Sequence, residues 1–150
     1  MNIPATISES IEQHINARIT SAQSVSGGDI NQSARLQTEA GVFFLKWNHT
    51  SPSDMFFAEA KGLTLLASAD SGLIIPNSIL VGDNFLLLDY IEESTSGNSY
   101  LFGSKLASLH RNSNELFGLD HGNYIGKLPQ TNHFYADWLD FFVRERIEPQ

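Results

Sequence analysis

The apolar residues near the start of the chain recur with the period of a helix. Four isoleucines lie four residues apart: Ile7, Ile11, Ile15 and Ile19. They follow Thr6-x-x-Glu9, which is the side-chain pattern of a helix-capping box. This spacing predicts an amphipathic helix over residues 6 to 19, with one apolar edge that packs on the rest of the protein.

The pattern then changes to the alternation that is typical of β-strands. Three short strands are predicted, over residues 21 to 26, 31 to 38 and 42 to 47. A glycine pair, Gly27-Gly28, separates the first two strands, and a Glu39-Ala40-Gly41 turn separates the second from the third. Side chains of the third strand point alternately to two faces, and both faces are apolar.

A second helix and a hairpin follow these strands. The helix is predicted from Ser53 or Asp54 to Ala69, where Ser71-Gly72 ends it, and its apolar stripe consists of three residues: Phe56, Leu63 and Leu66. The stretch "NSILVGDNFLLLDYI" then predicts a hairpin with its turn at Asp83-Asn84. Its second strand, residues 85 to 91, is apolar enough to be buried on both faces.

The composition changes after this hairpin. Residues 92 to 98, "EESTSGN", are small and polar and are typical of a linker. Beyond them we expect a helix over residues 99 to 111, a loop rich in Gly and Asn over residues 112 to 130, and an aromatic helix over residues 132 to 147. The chain therefore has an α+β order, with a unit of strands and helices first and helices after the linker.

Composition and charge exclude several classes of function. With 150 residues, of which 41% are hydrophobic, the chain can bury the core of one or two compact units. The formal net charge of -8 and the lack of a basic cluster argue against nucleic-acid binding. The absence of cysteine excludes disulfides and thiolate zinc sites. Without a signal-peptide pattern or a long apolar run, we expect a cytoplasmic protein with no membrane partner.

One charge is out of place in the third strand. Lys46 lies within "GVFFLKW", where both faces of the strand are apolar. An ammonium group that loses its hydration needs an acidic or phosphate partner, because a buried unpaired charge is costly. The alternative is an edge-strand lysine whose long side chain reaches water.

A second charge is misplaced in the helix that follows. Glu59 lies on the apolar stripe, three residues after Phe56 and four before Leu63. We expect Glu59 to orient Lys46 so that the ammonium can bind a phosphate, although a purely structural salt bridge is the alternative. A Gly-rich turn, a strand lysine and a helix glutamate, in that order, are typical of kinase-type nucleotide sites. Gly27-Gly28 would then let backbone amides approach phosphate oxygens, whereas by itself a glycine pair indicates only a turn.

The end of the buried strand "FLLLDYI" offers backbone groups to a ligand. The segment from Asp89 to Glu92 runs into the linker, where free N–H and C=O groups could pair with an adenine edge. The alternative is a buried strand that simply ends there. The histidines, by contrast, show no metal-ligand spacing, and no pattern for a nucleophilic serine is present.

Taken together, these stretches resemble one family, the fructosamine (ketosamine) kinases, which are related to aminoglycoside and choline kinases. The resemblance is carried in order by "SGGDINQSARLQT", "VFFLKWN", "MFFAEAKGLTLLA", "IPNSILVG", "FLLLDYIE", "LASLHR", "FGLDHGNYIGKLPQTN" and "WLDFFVRERIEPQ". It implies an α+β, protein-kinase-like N-lobe with a five-stranded antiparallel sheet and a helix over residues 1–91. A hinge at residues 92–98 and the first helices of a mostly helical C-lobe at residues 99–150 would follow.

The resemblance also implies an activity and a set of site residues. Such enzymes use ATP to phosphorylate the sugar part of ketoamines, usually on the 3-hydroxyl, and act on small fructosamines or glycated proteins. By the family pattern, the glycine turn would cover the phosphates, Lys46 would bind them, Glu59 would hold Lys46, and Tyr90 to Glu92 would receive the adenine. The expected ATP-binding residues are Gly27, Gly28, Asp29, Ile30, Lys46, Glu59, Asp89, Tyr90, Ile91 and Glu92.

One part of the family pattern is missing from these 150 residues. The H-G-D-x-x-x-x-N loop with the base aspartate, and the later aspartate that holds Mg²⁺, would follow Gln150. We therefore expect an N-terminal portion of a kinase, without a catalytic base or metal ligands of its own. The alternatives are a non-catalytic nucleotide-binding or interaction module, or a kinase with an aminoglycoside-like or choline-like acceptor. The reading frame beyond Gln150 distinguishes the enzyme from the module.

Overall fold

The computed structural model describes residues 2–26, 30–94 and 96–149. Three residues of the expected phosphate loop, Gly27, Gly28 and Asp29, lie outside the described residues, as do Met1, Thr95 and Gln150. The expectations for the loop therefore stay predictions.

The first helix, α1, spans Ala5–Ile15 and is shorter than its isoleucine spacing predicts. Asn16 adopts a left-handed conformation (φ 51°) that ends the helix, so Ile19 begins a strand instead. The capping box is also wrong, because Pro4 occupies the N-cap position and no side chain caps the helix. Glu12 stabilises this exit, since its Oε1 accepts a hydrogen bond of 2.7 Å from the Ile19 amide.

Five antiparallel strands form one sheet in the order β1-β2-β3-β5-β4. They are β1 (Ile19–Ser24), β2 (Gln32–Thr38), β3 (Gly41–Trp47), β4 (Ser78–Gly82) and β5 (Phe85–Asp89). The predicted strands and the Asp83-Asn84 turn are confirmed, although β5 ends two residues before Ile91. The central position of β3 and β5 explains why their residues are so apolar.

Each face of the sheet carries its own apolar cluster. On one face, Leu45 and Trp47 of β3 pack with Ile7 and Ile11 of α1. On the other face, Phe44 packs with residues of the second helix, α2, which spans Met55–Ser68. The alternation predicted for β3 therefore places Lys46 on the α2 side of the sheet.

The apolar stripe of α2 is narrower than predicted. Phe56 is fully buried and Leu63 packs beside it, whereas Leu66 is exposed. Ten residues of helix rotate Leu66 about 80° away from Phe56, while seven residues return Leu63 to within about 20° of it. The helix thus contacts the sheet through Phe56, Ala60 and Leu63.

The chain after residue 98 contains a hairpin that the sequence pattern missed. The helix α3, Ser99–His110, is confirmed and begins with a side-chain cap from Asn98. The predicted loop then contains two short antiparallel strands, β6 (Asn123–Ile125) and β7 (Leu128–Gln130). Strands of three residues are too short for an alternating pattern to be recognised.

The final aromatic helix begins six residues later than predicted. Asp137 caps α4, Trp138–Phe142, by accepting hydrogen bonds from the amides of Leu139 and Asp140. The residues before it are not helical, and Tyr135 pairs with Phe117 through two backbone hydrogen bonds. The helix continues as a π-helix over Val143–Ile147.

A buried carboxylate lies in this π-helical segment. Glu145 Oε1 accepts a hydrogen bond of 2.9 Å from the Tyr135 hydroxyl and lies 3.1 Å from His133 Nδ1. The neighbouring Thr131 hydroxyl, together with these two groups, lowers the pKa of Glu145 from 4.5 to about 2. No donor among the described residues bonds to the buried Oε2 of Glu145.

No helix in the described part of the chain is both long and apolar enough to cross a lipid bilayer.

Packing of α1 on the sheet predicts a large difference between two isoleucines. Ile11 is completely buried in the first cluster, whereas Ile74, in the segment before β4, is 76% exposed. We expect Ile11→Ala to lower the free energy of unfolding by about 2–5 kcal/mol, because it leaves a cavity. The matched control, Ile74→Ala, should change it by about 0.5 kcal/mol or less. Urea unfolding of both variants measures this, and equal effects would contradict the packing of α1.

Candidate functional site

Lys46 and Glu59 form a close ion pair between the sheet and α2. Lys46 Nζ donates to Glu59 Oε1 at 2.6 Å, and the two side chains are 29% and 28% exposed. The register of β3 pairs Lys46 with Ser33 of β2 and with Leu86 of β5. Lys46 therefore lies on a central strand, and the alternative of an edge-strand lysine is wrong.

The apolar contacts of α2 bring Glu59 to this position. Phe56 and Leu63 bury one side of the helix against Phe44 and Leu88 of the sheet. Glu59 lies between them along the helix, so its carboxylate emerges beside the apolar contact and faces the neighbouring strand residue. Since the ammonium and the carboxylate are both partly removed from water, each lowers the cost of the other's burial.

A cleft of about 370 Å³ opens beside this ion pair. Five of the expected ATP-binding residues line it: Lys46, Glu59, Asp89, Tyr90 and Ile91. Apolar side chains complete the wall: Val25, Phe44, Leu63, Pro76 and Leu88. This volume and this mixture of apolar walls with few polar groups are typical of small-molecule sites.

The end of β5 divides the expected adenine segment into two parts. Asp89 is fixed by Asn77, because its carboxylate accepts from the Asn77 side chain at 2.7 Å and its amide donates to the Asn77 carbonyl at 3.1 Å. The Asp89 amide is therefore already occupied. Tyr90, Ile91 and Glu92 follow the last residue of the strand, so a backbone fork for an adenine edge would lie there.

Arg35 is a residue of this region that sequence reasoning missed. It lies on β2 opposite Phe44, on the same sheet face as Lys46. Its guanidinium lies 5.1 Å from the centre of the Tyr90 ring and 3.5 Å from Glu92 Oε1. Arg35 thereby connects β2 to the segment after β5. The signal was a charged residue between Ala34 and Leu36, but alternation alone predicts only a solvent-facing side chain.

Asn48 is the second residue that was missed, and it holds the chain that follows the glycine pair. Its Nδ2 donates to the Ile30 carbonyl at 2.9 Å and to Asn31 Oδ1 at 3.2 Å. Ile30 also lines a second cleft, of about 410 Å³, which includes Glu59. Asn48 is two residues after Lys46, so one strand end supports both parts of the expected phosphate site.

The described residues offer no ready metal site. Within residues 2–26, 30–94 and 96–149, no three His, Asp or Glu side chains are grouped so that they could hold a metal ion.

Comparison with known proteins identifies the family. A sequence model described as fructosamine kinase matches residues 3–150, which is nearly the whole chain. This chain belongs to the fructosamine kinase family. The resemblance predicted from "SGGDIN", the helix with Glu59 and "FGLDHGNYIGKLPQ" is thereby confirmed.

Curated relatives of this member of the fructosamine kinase family carry related names. A "Probable ketoamine kinase" from Lactiplantibacillus plantarum is 36% identical over 131 residues, covering 87% of this chain and 46% of the relative. A chloroplastic protein-ribulosamine 3-kinase from Oryza sativa subsp. indica is 34% identical over 138 residues, covering 87% of this chain and 40% of the relative. The chain thus spans less than half the length of these two relatives.

Solved structures share its fold. The crystal structure of a "Putative fructosamine-3-kinase" from Haemophilus somnus 129PT matches with a TM-score of 0.81 and 29% sequence identity. The match covers 94% of this chain and 50% of the chain in that crystal structure. Another, from Thermobifida fusca YX-ER1, has a TM-score of 0.80 at 22% identity and supports the fold alone. The predicted α+β class with a kinase-like sheet and helix is confirmed.

The depth of the ion pair predicts how strongly its members are coupled. We expect a double-mutant cycle of Lys46→Met and Glu59→Gln to give a coupling of about 1 kcal/mol, because both groups are largely shielded from water. The control cycle, Arg35→Met with Glu92→Gln, should give a coupling of about 0.3 kcal/mol or less. The Glu92 side chain is 72% exposed, and its Oε1 lies 3.5 Å from Arg35 Nη2. Urea unfolding measures both cycles. A Lys46–Glu59 coupling no larger than the control would contradict this geometry.

Proposed function

We propose that the protein is an ATP-dependent kinase of fructosamines and that this chain supplies its ATP-binding N-terminal part. One observation carries the proposal: the Lys46–Glu59 ion pair and residues Asp89 to Ile91 line the same cleft. A cation at a defined position and the end of a strand beside it are two features of kinase-type nucleotide sites. Membership of the family agrees with this reading.

In the proposed site, Lys46 binds the phosphates of ATP. A lysine ammonium has three N–H donors, and Glu59 accepts from one of them. The carboxylate fixes the direction of the side chain, so the remaining donors can reach phosphate oxygens. Because the Lys46 ammonium group is partly shielded from water, it attracts a phosphate more strongly than the ammonium group of an exposed lysine would. Gly27, Gly28, Asp29 and Ile30 are proposed to cover the same phosphates.

The nucleotide base is proposed to lie at the other group of predicted residues. Tyr90, Ile91 and Glu92 would offer backbone groups to the adenine edge, while Val25 and Leu88 would contact its faces. Asp89 takes a supporting role, because Asn77 occupies its carboxylate and its amide. In this proposal residues 1–91 form the nucleotide-binding lobe and residues 92–98 the hinge to residues 99–150.

The proposed reaction transfers the γ-phosphoryl group of ATP to a sugar hydroxyl of a ketoamine. The hydroxyl oxygen forms a bond to the γ-phosphorus, the bond to the ADP oxygen breaks, and a base receives the hydroxyl proton. The base and the Mg²⁺ ligands are expected from residues after Gln150. Within the described residues no three His, Asp or Glu side chains are grouped around a metal position, so no step is assigned to a metal held by this chain. A relative named protein-ribulosamine 3-kinase supports glycated protein as one acceptor class.

Replacing the lysine tests this function. In the complete gene product, we expect Lys46→Ala to lower the turnover of ATP-dependent fructosamine phosphorylation by about a hundredfold or more, because a phosphate contact in a shielded site contributes several kcal/mol. The rate of ADP formation with a fructosamine acceptor measures it. Lys61→Ala is the matched control, since Lys61 is an exposed lysine on α2, the helix that carries Glu59. Unchanged turnover in Lys46→Ala would exclude the proposed role.

A further inference from the structure

The β6–β7 hairpin lies against the helix that carries Glu59. Its Tyr124 hydroxyl donates a hydrogen bond to Asp54 Oδ1. Asp54 lies at the N-terminal end of α2, yet its carboxylate makes no capping hydrogen bond to that helix. Aspartate is a favoured helix cap, but the Asp54 side chain bonds to the hairpin instead. This is a specific contact between two distant parts of the chain. The same hydrogen bond raises the pKa of Tyr124 above 10.0.

The turn of the hairpin reaches the chain that follows the glycine pair. Gly126 has a positive φ of 63°, a conformation that glycine adopts at no steric cost. A Cβ atom on Gly126 would lie 3.3 Å from Ile30 Cδ1, so the turn and Ile30 are in close contact. The hairpin therefore contacts both α2 and Ile30, the last residue of the expected phosphate loop.

Glu59 and the hairpin also share a cleft. The cavity of about 410 Å³ is lined by Met55 and Glu59 of α2 and by Tyr124 and Gly126 of the hairpin. Asp54 precedes Glu59 by five residues, which is about 7.5 Å along a helix axis. A contact at Asp54 therefore fixes the part of α2 from which the Glu59 side chain leaves.

We propose that Tyr124 and Asp54 are positioning residues: the hairpin holds α2 where Glu59 meets Lys46. The inference rests on the proposed function, since it assigns the hairpin a role in the same ATP site. A lysine–glutamate pair of this kind supports phosphoryl transfer only while its helix is in place. One hydrogen bond shifts the equilibrium between the held and the displaced position of α2 by only its own free energy. Its loss should therefore lower the rate about fivefold rather than abolish activity.

A comparison of two backgrounds tests the inference. Tyr124→Phe removes the hydroxyl and keeps the ring. In the complete gene product with Glu59 intact, we expect it to lower kcat for ATP-dependent fructosamine phosphorylation about fivefold. In the Glu59→Gln background it should have no further effect, because the hairpin acts through Glu59. The matched control is Tyr100→Phe, which removes the hydroxyl of a tyrosine that is 86% exposed on α3 and should change neither rate.

Two results would overturn the inference. One is an equal fold-loss from Tyr124→Phe in both backgrounds, which is the behaviour of a residue that only stabilises the fold. The other is no loss when Glu59 is intact. If instead Glu59→Gln itself leaves phosphorylation unchanged, the proposed role of the ion pair fails first, and the inference fails with it.

Amide hydrogen exchange, which does not depend on turnover, tests the inference even if Tyr124→Phe does not fold. Asp54→Asn keeps a residue that favours the N-cap position but replaces the charged acceptor with a neutral, weaker one. We expect amide hydrogen exchange in α2, Met55–Ser68, to become about fivefold faster in this variant, while exchange in β3 stays unchanged. Unchanged exchange in α2 would show that the contact does not hold the helix.

Discussion

The structure depends on one constraint, which is that an ammonium group on the central strand of a sheet must have a partner. Lys46 lies between β2 and β5, where water reaches it only in part. Its partner, Glu59, comes from a helix whose apolar residues fix it against the same face of the sheet. The strand order places this ammonium group inside the sheet, and the packing of α2 places its partner beside the adjoining cleft. These features together accommodate one positive charge in a protein whose net charge is -8.

Much of the fold could be predicted because its elements carry strong local patterns. The five strands and α2 are apolar or alternating over at least five residues, and turn residues separate them. The ends of elements were less predictable. Asn16 ends α1 by its backbone conformation although the isoleucine spacing continues to Ile19. Asp137 starts α4 although the aromatic residues begin earlier. In both places one residue's backbone or capping contact outweighs a periodic pattern.

The ion pair of the candidate site was predictable because each of its two residues conflicted with its own surroundings. Lys46 and Glu59 each stood in an apolar pattern, and their proximity follows from that conflict. Arg35, Asn48 and Tyr124 match their local patterns, and their roles come from contacts between strands or between distant segments. Such contacts depend on register and on helix packing, which a sequence pattern does not specify.

Affinities for ATP and for adenosine test the role of the ion pair most directly. Titration calorimetry of the complete gene product and of its Glu59→Gln variant measures both ligands. If Glu59 orients Lys46 toward the phosphates, Glu59→Gln will weaken ATP binding by about tenfold and leave adenosine binding within about twofold, because adenosine has no phosphate. Equal weakening of both ligands, or unchanged affinity for ATP, would contradict a phosphate-binding role for Lys46 and Glu59.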